Sequence, residues 1–345
     1  MTSSTGSSDA ALPPRDAPRF GAIGSALNEL TIVIAFVAIS LYLAATTPQF
    51  LTTANILSIL LASSLIGIVA VGETFVIVTG GIDLSPGSVV AFTGVMSGLA
   101  LQAHWGVAAS VALGIGLGAA CGAFNGFAVT VLNMSPFIVT LAVLAMARGL
   151  AFIVTDGNTV FGFPDGFDNI GGGNLGPLPI AALITLGVFL LAWIVLARTV
   201  FGAEVYAVGG NPEAARLAGI PVGRTLALVY VIAGALSGLG GVVLAGRLDS
   251  AQPIAAVGLE LNAIAAVVIG GASLFGGKGS MVGTLLGVLI IGLINNGLTL
   301  KNVQPFWVQF IQGAVIFGAV LIDSLNQKRR ARESGGPCPA ARLRA

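Results

Sequence analysis

The chain has 345 residues, of which 56% are apolar and 8% charged, and its net charge is +1. Soluble globular chains carry about a quarter charged residues, and a soluble fold this poor in charge would expose apolar patches that aggregate. That excludes a soluble enzyme and points to a chain solvated by lipid, where its 49 glycines let helix backbones approach closely.

Residues 1–28 are polar and carry Pro13, Pro14 and Pro18. They read as a disordered tail before the membrane. The first apolar run shows no small-residue cleavage pattern and reads as a retained anchor. A spanning helix needs about 20 mostly apolar residues. Runs of that kind lie at 30–46, 54–78, 86–102, 106–132, 136–155, 178–199, 225–246, 260–275, 279–300 and 305–323. The expected fold is an all-α polytopic membrane domain of about ten spans over 29–325, followed by a basic tail at 326–345. The runs at 86–102 and 260–275 are short, so each is expected to be tilted or broken.

Lys and Arg in the loops set orientation. Ten spans place 12 of the 15 basic residues on one side, among them Arg198, Arg216, Arg224 and Lys278. Only Arg247 and Lys301 fall on the other side, and Arg148 falls within a span. The reading is therefore a multi-pass protein with both termini cytoplasmic. The loop 156–177 has Asp156, Asp165 and Asp168 and no basic residue, which suits the outside; the loop 200–224 falls inside.

Asn125-Gly126 and Pro136-Phe137 mark one helix junction, and Asn296-Gly297 and Pro305-Phe306 echo it. The first maps inside and the second outside, so the echo suggests an inverted repeat, a common plan in transporters. Gly114, Gly118, Gly122 and Gly126 make a stripe of small residues, as do Gly234 with Gly238 and Gly283 with Gly287. Such stripes line close helix contacts in lipid.

Few side chains suggest chemistry. His104 lies in a short turn, and the two cysteines, Cys121 and Cys338, sit in unlike surroundings. Neither a metal site nor a disulfide framework follows, and no cofactor is expected. Gly276-Gly277-Lys278-Gly279-Ser280 lacks the spacing and the magnesium-holding hydroxyl of a phosphate loop. Charges within spans cost about 2.5–3.5 kcal/mol at the centre; Glu73 and Arg148 are the two candidates, to pair or to line a watery path. Asp83 sits in a glycine-flanked break, where freed backbone lines a cavity or begins the next helix.

The loop Asn211-Pro212-Glu213-Ala214-Ala215-Arg216-Leu217-Ala218-Gly219 is the most informative. Asn211 suits an N-cap, Pro212 the first helical position and Gly219 the left-handed residue after the last turn. The helix so defined is short, and short helices are marginal alone in water. It is expected to dock, either on its own protein or on a partner.

This loop resembles the Glu-Ala-Ala…Gly cytoplasmic loop of ATP-binding-cassette importer permeases. Four stretches, 79–88, 206–216, 263–271 and 283–298, are similar to the ribose-type simple-sugar permease family, and the resemblance runs from about 30 to 325. It implies a bacterial inner-membrane subunit that imports a monosaccharide. Implied partners are a pair of cytoplasmic ATPases that hydrolyse ATP, a second permease chain (a copy or a close paralogue) and an extracytoplasmic sugar-binding protein. Nothing implies nucleic acid. Asn211, Pro212, Glu213, Ala214, Ala215, Arg216 and Gly219 would couple to the ATPase. A polyol path wants amides, hydroxyls and aromatic faces, and the candidates are Asp83, Asn125, Phe137, Asn295, Asn296 and Phe306, with Trp307 beside them. A related permease for nucleosides or branched-chain amino acids remains an alternative. A stand-alone secondary transporter lacks an evident coupling-ion site.

Overall fold

The computed structural model describes residues 20–304 and, beyond them, 306, 307, 310, 311, 313, 314, 317, 318 and 321, all helical. The readings of 326–345 as a basic tail and of 1–19 as part of a disordered one lie outside the described residues. The elements are α1 (Phe20–Thr46), α2 (Thr53–Val78), α3 (Pro86–Gln102), α4 (Val107–Thr130), α5 (Pro136–Thr155) and α6 (Asp168–Gly171). A two-residue hairpin follows, β1 (Asn174–Leu175) with β2 (Leu178–Pro179). Then come α7 (Ile180–Arg198), α8 (Val200–Gly210), α9 (Pro212–Leu217), α10 (Val222–Leu248), α11 (Leu259–Ile269) and α12 (Met281–Leu300).

Six of these, α2, α4, α5, α7, α10 and α12, are long and apolar enough to cross a membrane. The protein is a helical, multi-pass membrane protein. The helices begin where the residue chemistry allows. Thr52 and Ser280 cap α2 and α12 by accepting from Asn55 N and Gly283 N, and Pro86 and Pro136 open α3 and α5, positions where the missing N–H costs nothing.

The centre of the bundle is α10, held by backbone contact. A Cβ at Gly118 would strike the backbone of Gly234 and Gly238, and one at Gly234 would strike Gly118 and Gly122. One at Gly122 would meet the Tyr230 carbonyl, and one at Gly126 the backbone of Ala227. The glycine stripe of α4 is therefore the seam on which α10 lies antiparallel. Gly283 and Gly287 of α12 do the same against Gly270 and Ala266. In lipid, where burial of apolar surface does not drive helices together, such close approach is a main source of attraction.

The short apolar runs prove to be half-helices. Val90 and Gly94 of α3 oppose Gly241 of α10, and Gly98 opposes Ala251. One turn back, Pro86 falls level with Ser237, close to the middle of α10. So α3 starts at mid-bundle and spans about 25 Å at 1.5 Å per residue. The start of α11 meets it there: a Cβ at Gly87 would collide with the Glu260 carboxylate and the Ala256 carbonyl. From that point α11 runs the other way, about 16 Å, to Gly270 beside the first turn of α12.

Each half-helix follows a long helix and a non-helical strap: α2, then 79–85, then α3; α10, then 249–258, then α11. A long helix comes next in each case, α4 or α12. Because α2 crosses α10 with Gly72 on Ala233 and Val69 beside Gly240, the two units run in opposite directions. This is the order that the Asn-Gly echo suggests, with α4 matching α12; Pro305 of the second Pro-Phe pair lies outside the described residues.

At one end of the bundle the loop 156–177 folds over α10. Phe167 is fully buried, stacks edge-on with Phe163 at 5.2 Å, and its carbonyl lies over Gly246. Val160 bridges to Ala251. At the other end α8 lies beneath the tip of α2. Gly209 touches the Val78 carbonyl, which also accepts from Gly277 N at 2.8 Å, and Tyr206 Oη donates to the Gly279 carbonyl at 2.7 Å. Sequence patterning reads 200–210 as loop; the Thr199 cap and the spacing of Phe201, Val205 and Val208 make it helix.

Candidate functional site

The α9 end carries the loop that sequence singles out. Asn211 Oδ1 accepts from Glu213 N and Ala214 N, each at 3.1 Å. Pro212 is the first helical residue, and Gly219 has φ +84°, a conformation that glycine adopts freely. The helix has six residues. Ala215 is buried against Val208 and Val222, so its methyl anchors α9 to its own protein and is not offered to a partner. The other face is bare. Glu213 and Arg216 pair at 3.1 Å with side chains 75% and 65% exposed, and Leu217 is 90% exposed. Ala214 and Ala218 are also exposed.

At the strap 79–85, Asp83 is 1% exposed. Its Oδ1 accepts from Ser85 N at 2.8 Å and Ser85 Oγ at 2.6 Å, and Asn125 Nδ2 donates to Ser85 Oγ at 3.2 Å. These residues pin the start of α3 to α4. Glu73 lies fully buried below. It faces the Asp83 backbone, yet its oxygens make no hydrogen bond of good geometry among the described residues. Tyr230 Oη, near Gly81, and Asn125 Oδ1 are likewise buried without a partner there.

The other path candidates do not converge on this cluster. Asn296 exchanges amide hydrogen bonds with Asn55 at 2.7 and 3.1 Å, tying α12 to α2. Asn295, the next residue on α12, is half-buried, and Phe137 and Phe306 are 51% and 81% exposed at separate helix ends. Trp307 stacks edge-on with Phe310.

Arg148 does not pair with Glu73. It is half-buried on α5, and its Nη1 donates to the carbonyls of Pro253 and Ala255 at 2.6 and 2.7 Å. It thereby satisfies backbone acceptors of the strap 249–258 that no helix satisfies. Glu260, in the first turn of α11, is half-buried and lies within electrostatic reach of Arg148 without an ion-pair contact to it among the described residues. In the sequence Glu260 lies at the start of the apolar run 260–275. An acid at the start of a run too short to span is the signal that marks it.

The chain matches, over residues 55–320, the family described as branched-chain amino acid transport system / permease component. It is 43% identical over 278 residues to the ribose import permease protein RbsC of Bacillus subtilis, covering 80% of this chain and 86% of that one. The L-arabinose ABC transporter permease protein AraH of Azospirillum brasilense is 39% identical, over 94% of this chain and 95% of its own. The D-allose transport system permease protein AlsC of Escherichia coli is 38% identical, over 86% and 92%. No solved structure matches. With most of its length matched, from the second helix to beyond the twelfth, the chain belongs to this family of transport-system permease components.

Proposed function

We propose that the chain is the membrane subunit of an ATP-driven, binding-protein-dependent importer of a monosaccharide. The observation that carries this reading is the similarity, over most of the chain, to permeases for ribose, arabinose and allose. The α9 helix supports it. A capped, anchored helix that holds a bare leucine in water suits a cleft in a partner ATPase. On this reading ATP is hydrolysed by partner chains, the working unit holds two permease chains, and an extracytoplasmic protein delivers the sugar. The family's description keeps a branched-chain amino acid as the second reading.

The topology proposed is ten crossings in the bacterial inner membrane, with α3 and α11 each completing a crossing that its strap begins. Both termini and α9 are cytoplasmic, in keeping with the 12 basic residues that this arrangement gathers on one side. The coupling role is proposed for Asn211, Pro212, Glu213, Ala214, Arg216 and Gly219, with Leu217 at the contact and Ala215 as the anchor beneath. Reconstitution into proteoliposomes with the cognate ATPase and binding protein tests the function. ATP-dependent uptake of labelled ribose, arabinose or allose is expected. Uptake of leucine with none of these sugars would overturn the sugar reading.

A further inference from the structure

Four ionisable side chains lie at mid-bundle depth: Glu73, Asp83, Arg148 and Glu260. Two are sealed in the core, with Glu73 and Asp83 at 0% and 1% exposure. Arg148 and Glu260 are not sealed; both are half-buried. They sit where the half-helices meet, Glu260 against Gly87 of α3 and Arg148 on the strap that leads into α11. A charged side chain open at this depth is not solvated by lipid, so such residues turn to the protein interior or to a watery cavity, and the Glu260 carboxylate has no cation within ion-pair distance among the described residues. The strap agrees, because non-helical backbone at membrane depth is tolerated only inside protein or along water.

We infer that Arg148 and Glu260 line the solute path at mid-membrane, and that the Glu260 carboxylate is a sugar-contacting, specificity-determining group. A carboxylate accepts from two hydroxyls at once, which suits adjacent hydroxyls of a monosaccharide. The Arg148 guanidinium already serves the carbonyls of Pro253 and Ala255, so it is a positioning residue that sets where α11 begins and thus where Glu260 points. The identity of the solute as a sugar rests on the importer reading above; the watery placement of the pair does not.

The test uses the full chain with Cys121 and Cys338 replaced by serine, assembled with its ATPase and binding protein. Cysteine is placed at 260 and, as a control, at Leu190, an exposed residue midway along α7. A charged thiosulfonate should modify position 260 and leave position 190 untouched. Failure to modify 260 overturns the inference. Glu260→Gln should cut uptake of labelled ribose, arabinose or allose about tenfold, the scale of one hydrogen bond to a charged group. The unfolding temperature should hold and the loss should differ among the three sugars, neither of which a merely structural role for Glu260 would give. Uptake by Glu260→Gln at the wild-type rate overturns the sugar contact. If the unsubstituted complex moves none of these sugars while 260 is still modified, the importer reading for sugars falls and the watery path stands.

Discussion

Leu217 is the sharpest place to perturb the protein. It is 90% exposed at the end of α9, next to a helix anchored by Ala215. Truncation to alanine removes about three carbons, each worth about 0.8 kcal/mol when buried. If a partner ATPase buries the side chain, Leu217→Ala weakens that contact by about 2 kcal/mol, roughly thirtyfold in affinity. The permease itself should be indifferent, since surface substitutions of this kind stay within about 0.5 kcal/mol. The assay is binding of the cognate ATPase to the permease in nanodiscs, read by interferometry, beside thermal unfolding of the permease alone. Ala215→Leu is the companion variant. It overfills the cluster of Val208 and Val222 at a cost of about 1–3 kcal/mol, displacing α9 from within. An affinity for Leu217→Ala within twofold of the parent would refute the coupling role of this face.

Three further outcomes follow from the same geometry. Gly219→Val, at φ +84°, should strain the turn by about 1–3 kcal/mol, lowering uptake and ATPase association while expression stays near normal by fluorescence. Gly118→Val drives a side chain into the backbone of Gly234 and Gly238; it should cost at least about 1–3 kcal/mol, seen as a fall of several degrees in unfolding temperature, and an unchanged value would contradict the seam. Cysteines within 156–177 should label from the outside of intact cells and those within 211–219 only after permeabilisation; labelling of both from one side would break the proposed topology.

The residues made most of the helix order legible, because apolar runs of spanning length admit few structures in lipid. The short runs at 86–102 and 260–275 also read correctly as unusual. Where each of them begins in depth was not legible, since depth is set by Gly87 against Glu260 and Gly94 against Gly241, contacts between segments far apart in sequence. The caps of α9 were legible because Asn, Pro and Gly each act locally. Its orientation was not: Ala214, Ala215 and Ala218 are alike as letters, and only packing decides that Ala215 turns inward. The polar candidates share this ambiguity. Asn296 binds Asn55, and Asp83 secures Ser85, because an amide or carboxylate that could contact a solute can equally fasten two helices.

The brevity of α11 bears on how the chain is made. With 11 residues it is far short of the roughly 20 that partition into a bilayer unaided. It cannot be released into lipid as a separate segment when it leaves the ribosome. Its last turn is seated by Gly283 and Gly287 of α12, which are synthesised later, and its first turn meets α3, synthesised much earlier. Insertion of α11 therefore waits for α12 and completes only when both units of the fold are present. The latest-settling part of the protein is then the one where the half-helices meet, and a chain interrupted before α12 would leave that part unmade although most of its spanning helices were already in place.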